Sequence, residues 1–152
     1  MKRIAGELAS NLVERLSRDC QTTSDTETLT AQLQQFVRDY SFIQYVYVTD
    51  VKGHSTAIAI SDPGDQKGYK AFPIGFDYSN REWFQQPMRT GKLHIMNVHQ
   101  SQVTGQLIIT VSTVITDAND EIIGVLGADI QLEEIIRRAE SLEAEEHIGE
   151  EE

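Results

Sequence analysis

Apolar residues recur four positions apart at the start of the chain, at Ile4, Leu8, Leu12 and Leu16, with Ala5, Ala9 and Val13 beside them. That spacing gathers them on one face of an α-helix of about four turns. The polar stretch 21–28 interrupts it, and Asp25 or Thr26 is placed to cap a second helix bearing Leu29, Leu33, Phe36, Val37 and Tyr40. From Phe42 to Thr49 the chain is dense in aromatic and β-branched residues, the composition of a strand. Asp50-Val51-Lys52-Gly53 reads as a turn, and Ser55 to Ile60 as the returning strand of a hairpin.

Residues 61–80 carry no such period, and a loop of that length in a small domain is usually functional or mobile. It ends at Ser79-Asn80-Arg81-Glu82, an S-x-x-E capping box for a short helix that runs to Arg89 and stops at Gly91. Leu93 to Val98 gives a third strand, Val103-Thr104-Gly105 a turn, and Gln106 to Thr116 a long strand. Asp117-Ala118-Asn119-Asp120 turns the chain into a last strand, Glu121 to Ile130. From Leu132 to about Glu146 a helical strip returns, on Ile135, Ile136, Ala139 and Leu142.

This order predicts an α+β domain: an antiparallel sheet of five strands with helices segregated to one face. It divides the chain into an N-terminal helical segment, 1–40, a core, 41–131, and a C-terminal helix with an acidic tail, 132–152. Strips on the two terminal helices exceed what one small sheet covers, and exposed strips of that kind mark partner contacts. A homodimer through the N-terminal helix is therefore expected.

At 152 residues, the chain is long enough to bury a core without staples. Its formal net charge is −11, but residues 133–152 alone hold nine Glu against two Arg, so the body is only mildly acidic. With no basic stripe, nucleic acid and anionic membranes are poor partners. Cys20 is the single cysteine, which excludes an internal disulfide and argues against a cysteine zinc site. No apolar run reaches the ~20 residues that span a bilayer, and charges break up the N-terminus too early for a signal peptide. The sequence as it stands predicts a cytoplasmic chain; as a piece of a membrane receptor it would be an extracytoplasmic domain, with the membrane helices in flanking segments.

Four stretches, in order, resemble the Cache family of PAS-like, PDC-type sensory domains. Tyr47-Val48-Thr49-Asp50-Val51-Lys52-Gly53 resembles its opening hairpin. Asp77-Tyr78-Ser79-Asn80-Arg81-Glu82-Trp83-Phe84 resembles its R-x-W/Y-F/Y helix. Val103-Thr104-Gly105-Gln106 with Ile108-Ile109-Thr110-Val111-Ser112 resembles the next hairpin, and Ile123-Gly124-Val125-Leu126-Gly127-Ala128-Asp129-Ile130 the closing strand. The resemblance covers roughly residues 40–135. It implies a long N-terminal helix beside a PAS-like five-stranded sheet, and a pocket for a small carboxylate or amino acid. It implies neither a cofactor nor an enzyme. The chain departs from the pattern at Phe84, where amino-acid-binding members tend to have Tyr, and at Gln85 and Gln86, where some carry an acid. His99 stands nearest the position of an expected tyrosine.

Arg81 is the first candidate for binding. Its planar fork matches a carboxylate with two parallel hydrogen bonds, and the start of a helix favours an anion. The competing reading is a surface Arg paired with Asp77 or Glu82. Asp129 lies in an apolar strand, on one face with Val125 and Gly127, and a buried carboxylate needs a partner. That partner is either an amine ligand or Arg81; the resemblance aligns Asp129 with an amine-binding position. Otherwise Asp129 ends the strand and caps the final helix. Trp83 and Phe84 on a short helix are more often core than contact; they diverge by ~100°, so at most one faces a pocket, and Trp83, with its polar handle, is the better candidate. Tyr47, with Tyr45 on the same face, lines the pocket or packs under a helix. Phe72 and Tyr78, in the long loop, suit a lid. His94 and His99 have opposite parity in a regular strand and would face opposite ways, so no histidine metal site is expected. No catalytic motif occurs. The expected function is a small-molecule sensor. The alternatives are a ligand-free PAS-like interaction module, with Arg81 and Asp129 paired to each other, and a small enzyme using Asp129 with His99 as acid and base.

Overall fold

The computed structural model describes residues 2–20, 25–62, 64, 70, 72–100 and 105–151. In chain order the elements are α1 (Lys2–Asp19), α2 (Thr26–Asp39), β1 (Ile43–Thr49), β2 (Ser55–Ile60), α3 (Glu82–Thr90), β3 (His94–Gln100), β4 (Leu107–Thr116), β5 (Ile122–Gln131) and α4 (Leu132–Glu151). The five strands form one sheet in the order β2-β1-β5-β4-β3. Every neighbouring pair is antiparallel. This is the PAS-like α+β architecture the sequence implies. The predicted turn at Val103-Thr104, and the side chains of Ile4, Ala5 and Leu142, lie outside the described residues.

Local chemistry sets the element ends. Asp25 caps α2, its carboxylate accepting the Thr28 N–H at 3.1 Å. Gly91 ends α3 in the left-handed conformation, φ 69°. The predicted capping box does not form. α3 begins at Glu82 with Arg81 at the N-cap position and no side-chain cap. The Ser79 N–H instead donates to the Asp77 carboxylate at 2.8 Å. Asp77 is itself tied to the β1–β2 hairpin by a bridge to His54, and Tyr78 N–H donates to Gly53 O at 2.8 Å. These contacts hold the entrance to α3 against the hairpin. A side chain at Gly53 would collide with that entrance, since a Cβ there would lie 2.8 Å from Ser79 N.

Strand alternation gives the sheet two different faces. One carries Val46, Val48, Ile109, Val111, Leu126, Ala128 and Ile130, packed against α1, α2 and α4. Helices therefore segregate to this face, with one exception: α3 packs on the other, because Trp83 and Phe84 join Tyr45, Tyr47, Ile60, Tyr78 and Val125 there. The Ser112 hydroxyl anchors it by donating to Trp83 O at 2.7 Å.

The strips on the terminal helices are not left over. Ala9, Leu12, Val13 and Leu16 of α1 and Leu132, Ile135 and Ala139 of α4 are buried in the same core as the sheet. The uncovered strips expected from the sequence are thus absent among the described residues, because α1 and α4 also cover each other. Cys20 is buried in this core, and burial pushes its thiol up to about 12, which leaves it unreactive.

Candidate functional site

The polar residues of β4 and β5 that point away from the helical core meet in the middle of the sheet. Thr110 pairs directly with Asp129, and Tyr45 flanks Asp129 on the other side. Asp129 is buried, and its Oδ1 accepts the Tyr47 hydroxyl at 2.8 Å and the Thr110 hydroxyl at 2.9 Å. Tyr47 reaches it by lying over Gly127, where a Cβ would sit 2.3 Å from its ring. Gly127 is therefore required by close approach rather than by turn geometry. Burial raises the Asp129 pKa from its ordinary value; the hydroxyls of Tyr47 and Thr110 and the nearby His99 oppose the rise. The Tyr47 phenol is pushed well up, by burial first and then by the Asp129 charge, so it stays a donor.

Above this floor lies a cavity of about 610 Å³ that opens to solvent. Tyr47, Tyr78, Arg81, Trp83, His99 and Asp129, the six residues singled out from the sequence, all line it. Trp83 packs on Tyr47 and Tyr78 at ring-centroid distances of 4.7 and 5.3 Å, and Phe72 stacks on Tyr47 at 5.3 Å. Phe84, the neighbour of Trp83, is buried beside the cavity without lining it. Arg81 is exposed at the rim, and among the described residues it forms no ion pair with Asp77, Glu82 or Asp129. Glu82 is instead engaged by His94 Nε2 at 2.9 Å. Asp129 does not cap α4; it is held inside β5 by the two hydroxyls.

One expectation from strand parity fails. Between Met96 and His99 the pairing of β3 with β4 shifts by a bulge. Beyond it His99 stands opposite Ile108, on the same face as Thr110, while before it His94 stands opposite Ser112, also on that face. The extra residue turns both imidazoles toward the cavity side. His99 Nε2 lies 3.4 Å from the Thr110 hydroxyl. Among the described residues no cluster of three or more His, Cys, Asp or Glu could hold a metal ion.

The sequence reading missed Asn80, Glu82, Met96, Gln100, Ile108 and Thr110 as lining residues. Thr110 had a signal: in LIITVSTVIT, Thr110 and Ser112 alternate with Ile109 and Val111, which marks a polar face opposite the core. Met96 and Gln100 had none: Met96 is an apolar residue in regular register opposite Thr110, and Gln100 lies beyond the bulge, opposite Leu107.

Comparison with known proteins follows the same lines. A relative from Syntrophus aciditrophicus, named as a citrate (Re)-synthase, is 36% identical over 137 residues, 90% of this chain and 22% of that protein. The chain thus spans about a fifth of the length of the curated relatives it matches. The ligand-binding domain of the Pseudomonas aeruginosa amino-acid chemoreceptor PctC, solved with GABA, superposes with a TM-score of 0.68 at 24% identity, over 86% of this chain and 55% of that one. That of the Campylobacter jejuni chemoreceptor Tlp3, solved with 4-methylisoleucine, gives 0.67 at 18%, over 85% and 52%. At these identities the two structures establish the fold. The family model for the first PDC sensor domain of methyl-accepting chemotaxis protein-like proteins matches residues 25–137, most of the chain. This chain belongs to that family of sensor domains.

Proposed function

We propose that the domain senses a small zwitterionic amino acid, bound between Arg81 and Asp129. The observation that carries the reading is one cavity with a buried, hydroxyl-held carboxylate on its floor and an arginine at its rim that is engaged by no acid among the described residues. An ammonium group on Asp129 replaces the solvation that burial removes, and Arg81 takes the carboxylate with two parallel hydrogen bonds. Trp83, Tyr47, Tyr78 and Phe72 enclose the ligand's carbon skeleton. The ligands of the PctC and Tlp3 structures are themselves amino acids.

A binding role fits better than a catalytic one. Asp129 is immobilised by two donors, and the Thr110 hydroxyl that donates to it also lies 3.4 Å from His99 Nε2. The ligand-free alternative required Arg81 to pair with Asp129, and among the described residues no such pair forms. In this reading the core, 41–131, receives the ligand, and the flanking segments 1–40 and 132–152 pass the signal to whatever they join. Among the described residues no helix is long and apolar enough to cross a membrane. We read the chain as cytoplasmic if it stands alone, and as extracytoplasmic if it is the sensor of a receptor.

The test is a thermal-shift screen against the proteinogenic amino acids and GABA. A ligand specific for the folded state stabilises by mass action, about 2.7 kcal/mol at a hundredfold excess over Kd. A shift of several degrees for a subset of amino acids is expected; no shift for any at millimolar concentration overturns the reading. Homodimerisation belongs to the same proposal. With the strip of α1 buried within its own chain, pairing would use its outer side and the half-buried Leu8, Phe36 and Tyr40. Light scattering at tens of micromolar should give a mass above the monomer; a monomer throughout would refute it.

A further inference from the structure

Resting on that reading and deepening it, we infer that the amino acid recognised carries a second carboxylate, bound at the His99–Gln100 end of the cavity. A site that matched only the ammonium and α-carboxylate common to all amino acids would close with apolar groups where the side chain lies. Here the β3 wall, across β4 from Asp129, runs from Met96 to the His99 imidazole, with Gln100 beyond it, one N–H of whose amide donates to Gly105 O at 2.9 Å. The bulge in β3 puts His99 there: a regular strand would turn it to the opposite face.

The reach fits. His99 Nε2 and Asp129 Oδ1 flank the Thr110 hydroxyl at 3.4 and 2.9 Å, so the two are no more than about 6.3 Å apart. One or two methylenes, at about 1.5 Å per bond, carry a distal carboxylate about 5 Å from its ammonium. The charges fit too. Glu82, the other acid of the rim, is engaged by His94, so it does not face a second anion unpaired. Arg81 and a protonated His99 together would balance both carboxylates, and Asp129 the ammonium.

Recognition by His99 has a signature that a packing role lacks. Imidazoles change charge between pH 5 and 8, and an anion beside one favours its protonated form. The groups around it are Asp129 on β5, Tyr47 on β1, Tyr78 in the loop, Arg81 and Glu82 at the start of α3, and His94 along β3. Protonation of Asp129 would weaken every amino acid alike, so the ratio of glutamate to valine affinity removes it. Calorimetry of the whole chain with L-glutamate and L-valine should give a ratio of about tenfold or more at pH 6, falling about fivefold by pH 8. In H99Q the ratio should be small and flat; H99N serves if H99Q does not fold. Valine binding as tightly as glutamate at pH 6, or a pH-dependent ratio that survives in the variant, overturns the inference. If R81A binds both ligands like the wild type, the fault lies in the reading of the site itself, and the inference falls with it.

Discussion

Arg81→Ala is expected to weaken amino-acid binding by about 30-fold or more while leaving the thermal midpoint of the free protein unchanged. The two halves of this result have separate causes. Arg81 is exposed and, among the described residues, is in no ion pair, so its loss removes nothing that holds the fold. A bound carboxylate would cover it and leave water behind. Truncating one partner of a desolvated, hydrogen-bonded charge pair costs roughly 2–5 kcal/mol, much of it from the charge left unpaired. Arg81→Lys keeps the charge and loses the fork, so it should fall between the two. Calorimetry in which Arg81→Ala binds the identified ligand as tightly as wild type would remove Arg81 from the site.

Asp129→Asn is expected to do the reverse of what a core mutation usually does: to abolish most of the binding while the unliganded protein becomes as stable as before or more so. Burial raises the Asp129 pKa, so ionisation of this group opposes folding. The sign follows from that direction. A carboxyl whose folded pKa is raised adds stability when protonated, and that stability is lost as pH climbs through the folded pKa. The ionised side chain is therefore a burden at neutral pH. Asparagine lifts it and still offers an oxygen to the hydroxyls of Tyr47 and Thr110. Its advantage over wild type should be largest at neutral pH and vanish on acidification, read from urea unfolding at pH 4 and pH 7. Binding should fall about 100-fold, since an amide cannot balance an ammonium. Asp129→Ala differs: it leaves two buried hydroxyls without their acceptor and should destabilise by ~1–3 kcal/mol. If Asp129→Asn destabilises as much as Asp129→Ala, or binds the ligand normally, the assignment fails.

These two residues were legible because each breaks a local rule. Asp129 is a charge in an apolar strand, and Arg81 begins a helix within a stretch that resembles a known motif. The strands were legible for the same physical reason that they pair: alternation in β1, β4 and β5 sorts core from cavity residues, and the turns at Asp50 and Asp117 separate them. What stayed hidden depends on contacts between distant segments. The capping box failed because α3 starts only at Glu82, and Asp77, tied to His54 of the hairpin, accepts the Ser79 N–H that Glu82 would have taken. The facing of His99 depends on a bulge whose position no pattern in residues 94–100 marks. The side of the sheet taken by α3 was fixed by Trp83 and Phe84 finding tyrosines of β1 far away in sequence.

The bulge lies in β3, and β3 is an edge strand with a single neighbour. Sliding or lengthening it by one residue would disturb its ladder with β4 and its tie to α3 through His94 and Glu82, and would leave the β4–β5–β1 platform and the helical core as they are. The same slide would exchange the side chains that β3 turns to the cavity face with their neighbours, because each residue of a strand faces opposite to the next. Met96 and His99, which stand opposite Thr110 and Ile108, would leave the wall, and neighbours such as the exposed Ile95 and Val98 would enter it. Ligand preference in this fold can therefore change by a single insertion or deletion as readily as by substitution, with Arg81 and Asp129 untouched.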